Sequence, residues 1–163
     1  MMGNSISINL FNSSLETGVR SLIILVAAFP IAFDLQRLIE MDYLVVHSGD
    51  VDGPSSLHAP IPMRIGELLV RRGIIEQGLT LMMSRGLIER LHNENGFEYI
   101  AHEDAAPFIS ALSNRYSCQL KKRAEWAINR FENTTTEELS SMTNSLFYKW
   151  SNDLQDLNSS WGI

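Results

Sequence analysis

One cysteine, Cys118, stands in the whole 163-residue chain, so no intramolecular disulfide framework exists and a reducing cytosol is the simple setting. Long hydrophobic runs are missing as well. The most apolar stretch, Leu22 to Phe33, falls short of the roughly 20 residues that span a bilayer, and Pro30 interrupts it. No Lys or Arg precedes Arg20, so the cationic start of a signal peptide is lacking. A cytoplasmic protein without membrane contact is the expectation. Positive charge is scarce: 13 Lys and Arg face 19 Asp and Glu, for a formal charge of −6. That excludes a globally basic nucleic-acid coat, which needs many phosphate-neutralising cations. Catalytic signatures are absent too. There is no GxSxG elbow, no phosphate-binding loop and no dinucleotide fingerprint, so neither an enzyme nor a cofactor is expected.

What is present is an ordinary globular composition, 45% hydrophobic and 20% charged, at the length of one domain. A chain of this size buries roughly 70% of its unfolded surface, enough for one real core. The charge is unevenly spread. Residues 1–62 carry −4, residues 63–91 carry +2 and residues 92–163 carry −4.

Helical spacing appears early. Residues 1–11 alternate weakly, then Ser13 and Glu16 stand at capping-box spacing before an apolar face that predicts a helix over 15–28. Pro30 ends it, and Asp34 is placed to cap a second helix bearing Leu35, Leu38, Ile39 and Tyr43. Leu44-Val45-Val46 either extends that helix or turns into a strand. Residues 48–62 hold two Gly, three Pro and three Ser, the composition of a long loop. Helical spacing resumes at Met63 and breaks at Gly73, and a second short helix over 74–85 ends at Gly86. Leu87 to Asn93 and Phe97 to His102 form a hairpin about Glu94-Asn95-Gly96. The expected fold is therefore mainly α with a small β-hairpin, a winged helix-turn-helix-like domain with flanking N- and C-terminal helices. Residues 1–112 form that core with the loop over 48–62. Residues 113–163 form a C-terminal helical extension, whose Leu146, Trp150, Leu154 and Trp161 stripe packs back or docks a partner.

Three constellations invite chemistry. His47, Asp50, Asp52 and His58 cluster in and beside the loop, but no acidic residue stands twelfth to complete a calcium loop, and the histidines lack zinc spacing. A hydrogen-bonded structural loop is the stronger reading. Cys118 has Lys121 and Lys122 one turn away, yet a half-buried structural cysteine is commoner than a nucleophile. Arg64, Arg71, Arg72, Arg85 and Arg90 form the basic middle. They are candidates for DNA-backbone contact, whereas the outward face of the second helix (Glu76, Gln77, Thr80, Ser84) offers little for reading bases. Alternatively these arginines are ion-paired or solvated.

Several strings together resemble one family, the middle component, type 2, of ABC-three-component systems. They are LFNSSLETGVRSLIIL (Leu10 to Leu25), FDLQRLIEMDYLVVHSGD (Phe33 to Asp50), SSLHAPIPMRIGELLVRRGIIEQGLTLMMSRGLIER (Ser55 to Arg90), YIAHEDAAPF (Tyr99 to Phe108) and LKKRAEWAINRF (Leu120 to Phe131). The resemblance fades beyond Thr134. It implies the small, non-catalytic third subunit of a Lamassu-type defence complex, partnered by an SMC- or Rad50-like ATPase and a nuclease or other effector. DNA would be engaged through that complex. On this reading Tyr43, His47, Asp50, His58 and Arg64 knot the loop into a partner-facing surface. The rival expectation is a free winged-helix transcription regulator.

Overall fold

The computed structural model describes residues 13–59 and 65–160. Helix α1 spans Ser14–Ala28, a short strand β1 spans Phe33–Asp34, and α2 follows at once over Leu35–Val46. A 3-10 turn at Ser48–Val51 opens the loop, and α3 runs over Ile65–Ser84. Strands β2 (Ile88–Asn93) and β3 (Gly96–Ala101) make the hairpin, before helices α4 (Ala105–Ala111), α5 (Arg115–Phe131) and α6 (Thr136–Ser160). The protein is mostly helical with a small antiparallel sheet, as its periodicities predict.

Local chemistry sets the boundaries. The Ser13 side chain accepts the Glu16 N–H at 3.2 Å, and Asp34 accepts the Arg37 N–H at 2.7 Å, so both predicted caps start their helices. Leu44, Val45 and Val46 stay helical, and every residue from Leu38 to Val46 is buried, so this end of α2 is enclosed by the core on all sides. The central helix is α1, with Leu22, Ile24 and Leu25 fully buried as it packs between α3 and α5. From α5, Leu120, Ala124, Ala127 and Phe131 enter this same core, as does Leu139 at the start of α6.

Two elements depart from expectation. The break at Gly73 does not occur: α3 passes through it as one helix of 20 residues. A lone glycine costs a helix about 1 kcal/mol, less than the burial of Ile75, Leu79 and Met82 on the same helix returns. The separate second helix over 74–85 is thus the C-terminal half of a longer one. The other departure is β1, two residues too short for any alternation pattern. Phe33 pairs with Tyr99 and Asp34 with Glu98, giving the sheet order β1-β3-β2.

Helices α1 and α3 meet at a glycine pair. A Cβ on Gly78 would lie 2.6 Å from the Gly18 nitrogen, and one on Gly18 would lie 2.7 Å from the Gly78 carbonyl oxygen. Only glycine permits backbones this close.

Candidate functional site

Asp42 lies in the middle of α2, with Leu38, Ile39, Val45 and Val46 three and four residues away, so helix geometry carries its carboxylate into the core. It is fully buried, and two arginines meet it there. Arg20 of α1, 3% exposed, donates from Nε to Oδ1 at 2.6 Å and from Nη2 to Oδ2 at 3.1 Å. Arg71 of α3 donates to Oδ2 from Nε at 3.1 Å and from Nη2 at 2.6 Å. Three helices are therefore pinned at one carboxylate. Burial by itself pushes an acid's pKa up, but here the two guanidinium charges and their hydrogen bonds win, and Asp42 is held well below the usual carboxylate range. Burial likewise opposes the Arg20 charge, and Asp42 more than restores it.

A second layer of polar groups surrounds this clamp. The Arg71 guanidinium stands 5.5 Å from the Tyr43 ring centroid, and the Tyr43 hydroxyl donates to Asp50 Oδ2 at 2.7 Å. His47 packs beside Tyr43 with centroids 4.8 Å apart and meets His58 edge-on at 6.2 Å. His58 Nε2 and the Tyr116 hydroxyl of α5 share a 2.6 Å hydrogen bond. Burial, reinforced by neighbouring positive charge, lowers both imidazoles to about 4, so they are neutral at physiological pH. Tyr116 also bonds Arg20 and Glu16, and burial pushes its phenol up to about 12. Glu16 is raised by burial, and its Oε1 is buried without a hydrogen-bond partner.

The loop after α2 is folded onto this cluster. Leu57 and His58 N–H groups donate to the Val46 carbonyl at 2.9 and 3.1 Å, closing the loop on itself. Ser48 Oγ donates to the Pro54 carbonyl at 2.7 Å, and Gly49 N–H donates to Ser56 Oγ at 3.0 Å. From α5, Arg123 donates twice to the Ser55 carbonyl, at 3.1 and 2.9 Å. Trp126 sits where any Cβ on Gly53 would collide with its ring. The loop is a structured strap between α2 and α5.

Of the residues singled out from sequence, Tyr43, His47, Asp50 and His58 come together in this network. Arg64 and Trp161 lie outside the described residues. The four described arginines of the basic middle, Arg71, Arg72, Arg85 and Arg90, do not share one environment. Arg71 is turned inward to Asp42, with its side chain 16% exposed, while Arg72 is 48% exposed and 3.6 Å from Glu76 one turn on. Arg85 and Arg90 are exposed, Arg90 lying over the Phe97 ring at 4.4 Å. In the Lys121-Lys122-Arg123 run, Lys121 donates to the Leu112 carbonyl at 2.6 Å and Arg123 holds the loop, leaving Lys122 exposed. Leu146 packs partly on the core, and Trp150 and Leu154 fall within α6. Among the described residues, no group of three or more His, Cys, Asp and Glu is placed to hold a metal ion. No described helix is long and apolar enough to cross a membrane.

Sequence reasoning missed Arg20, Asp42 and Tyr116. The signal was available for Asp42: a lone charge whose neighbours at three and four residues are all apolar must be buried, and then it must be paired.

Fold and cluster define a small helical domain with a three-stranded sheet, locked internally by one carboxylate and two guanidiniums. The model of the family "ABC-three component (ABC-3C) system Middle Component 2" matches residues 10–153, and the chain belongs to that family. No curated protein and no solved structure matches it.

Proposed function

We propose that this chain is a non-catalytic brace in a Lamassu-type defence complex, a cytoplasmic subunit that holds an SMC- or Rad50-like ATPase and helps restrain a nuclease-type effector until foreign DNA is sensed. Membership in a multi-component family supports an accessory role. The observation that carries the reading is the direction of the charged groups. Asp42, Arg20, Arg71, Tyr43 and Asp50 bond to one another, and a network of mutually bonded polar groups stiffens a scaffold. On this reading the strap around Asp50 and His58 presents the ATPase-facing surface. The C-terminal stripe legible in the sequence, Leu146, Trp150, Leu154 and Trp161, supplies a second docking element. Arg64, Arg72, Arg85 and Arg90 add at most backbone contacts to DNA held by the complex. Carboxylates intersperse these cations, at Glu76, Glu89, Glu94 and Glu98, so the chain alone makes a weak phosphate binder.

Co-expression with the two other components of its system tests this. The wild-type chain co-purifies with the ATPase, whereas Asp50→Ala and His58→Ala weaken recovery while the purified variants keep their helical circular dichroism. Full recovery of both variants would remove the strap from the interface.

A second reading has a specific observation in its favour. The order helix, strand, helix, helix, hairpin, with strands arranged β1-β3-β2, is compatible with a winged helix, a kind of domain that often regulates transcription. A free regulator would bind a particular duplex as an isolated protein, with half-sites about one helical turn apart. The brace would show only weak, salt-sensitive binding in the same titration.

A further inference from the structure

Strand β2 is an edge. Its inner side is bonded to β3 along Ile88–Asn93, and among the described residues no strand pairs with its other side. The direction of each backbone group follows from one bond beyond the ladder. His102 N–H donates to the Leu87 carbonyl at 2.9 Å, so residue 87 faces β3. In an antiparallel ladder alternate residues share that direction, and residues 89, 91 and 93 therefore face β3 as well. The N–H and C=O groups of Ile88, Arg90 and His92 point to the open edge. The six pairs run in unbroken register without a bulge, and a regular open edge is a template for another strand.

Side chains beside this edge state what it would accept. Residues opposite one another share a face, so Glu89, Leu91, Glu98 and Ile100 lie on the face turned away from the core. Leu91 is 42% exposed and Glu89 56% exposed. Glu98 accepts a hydrogen bond from the Asn93 amide and stands opposite Leu91. An apolar residue is thus flanked by two carboxylates. Arg90, His92 and Phe97 occupy the opposite face, Phe97 being 50% exposed beneath the Arg90 guanidinium.

We propose that the open edge of β2 takes an extended segment of another component of the same system as a fourth strand. That segment carries an apolar side chain to lie against Leu91 and a Lys or Arg two residues away to lie against Glu89. Main-chain bonds would supply affinity, and the alternating side chains specificity. The inference rests on the multi-subunit reading and assigns it a surface and a partner chemistry.

The test uses the full chain, free and co-expressed with the two other components. Residue-resolved hydrogen exchange should slow at the Ile88, Arg90 and His92 amides on assembly, with little change at Glu89, Leu91 and Asn93, which already serve the ladder. His92→Pro removes one outward N–H without touching a β3 bond, and Glu89→Lys reverses the charge without altering the backbone. Each should weaken assembly about tenfold, the loss typical of one interface anchor. Equal exchange in the free and assembled chain, or Glu89→Lys assembling within about twofold of wild type, would overturn the assignment while leaving the brace intact. Protection that rises with the concentration of the isolated chain would make a second copy the occupant and would also overturn it. Failure of the wild type to assemble at all would instead bring down the brace, and this proposal with it.

Discussion

Arg71 and Arg72 are neighbours in sequence with opposite fates. Arg71 turns into the body to share a fully buried carboxylate with Arg20, and Arg72 turns outward to a loose contact with Glu76. The same contrast divides the molecule. On one side lie the clamp and strap, where charged and polar groups are buried and mutually bonded. On the other lie the outer face of α3 and the hairpin, where arginines and glutamates alternate in solvent. Charge in a sequence therefore has no single meaning, and burial decides whether it builds the fold or decorates it. A buried ion pair stays for geometry: its desolvation cancels much of its attraction, but losing one member leaves a stranded charge.

The sharpest way to break this comparison is Asp42→Asn. Two arginines would then face a neutral amide, Arg20 from within the core, and stability should fall by about 3–5 kcal/mol in urea melts. A loss below about 1 kcal/mol would mean that solvent reaches the clamp. Arg20→Met combined with Asp42→Leu, which removes the charge on both sides of the buried contact, should recover part of the loss.

A second pair of variants applies the comparison to the backbone of α3. Gly78→Ala forces a Cβ against the backbone of α1, and should cost about 1–3 kcal/mol through strain and displacement. Gly73→Ala, five residues earlier on the same helix, meets nothing within 4 Å. It should instead stabilise by about 0.5–1 kcal/mol, because alanine loses less entropy in a helix. Opposite shifts in thermal midpoint are the expected result. Equal signs would mean that α1 and α3 do not approach at Gly18.

These two glycines show why much of the fold could be read from the chain and part of the site could not. Caps, the first two helices and the hairpin depend on neighbours a few residues apart, so Ser13, Asp34 and the Glu94-Asn95-Gly96 turn announce them. The grouping of His47, Asp50 and His58 is legible because these residues lie in and beside one loop, which returns to the helix that launches it. Gly73 misled because a local breaker is weaker than the packing of the helix that contains it. Gly18 with Gly78, and Arg20 with Asp42 and Tyr116, are partners separated by many residues. Nothing local says which distant group completes them.

Acid should loosen the strap before the clamp. His47 and His58 have folded pKa values near 4, below the usual histidine value, so the unfolded chain binds more protons between about pH 4 and 6.5. Stability is full above that window and falls as the pH drops through it. Asp42, held well below the usual carboxylate range, keeps its charge throughout the same interval. The two histidines should together cost about 2 kcal/mol between pH 7 and 4, well under the sum of their shifts because His58 is only half-buried. The His47→Asn, His58→Asn double variant should flatten that slope in chemical melts at a series of pH values. A slope as steep as the wild type's would move the acid sensitivity to the carboxylates.

The smallest effects should come from the outer cations, and they give the comparison its lower edge. Arg72→Ala removes a half-exposed guanidinium whose contact to Glu76 is a long surface ion pair, and such pairs contribute about 0–1 kcal/mol. The change should stay within about 0.5 kcal/mol, against a loss several times larger for Arg71→Ala, which strips one donor pair from Asp42. If the outer arginines touch phosphates at all, Arg72→Ala with Arg85→Ala should lower the salt slope of DNA binding by the assembled complex, by about one for each phosphate no longer neutralised. An unchanged slope would leave them as solvated charges. The middle of the chain, basic in sequence, would then be basic in function only where Arg71 has already spent its charge inside.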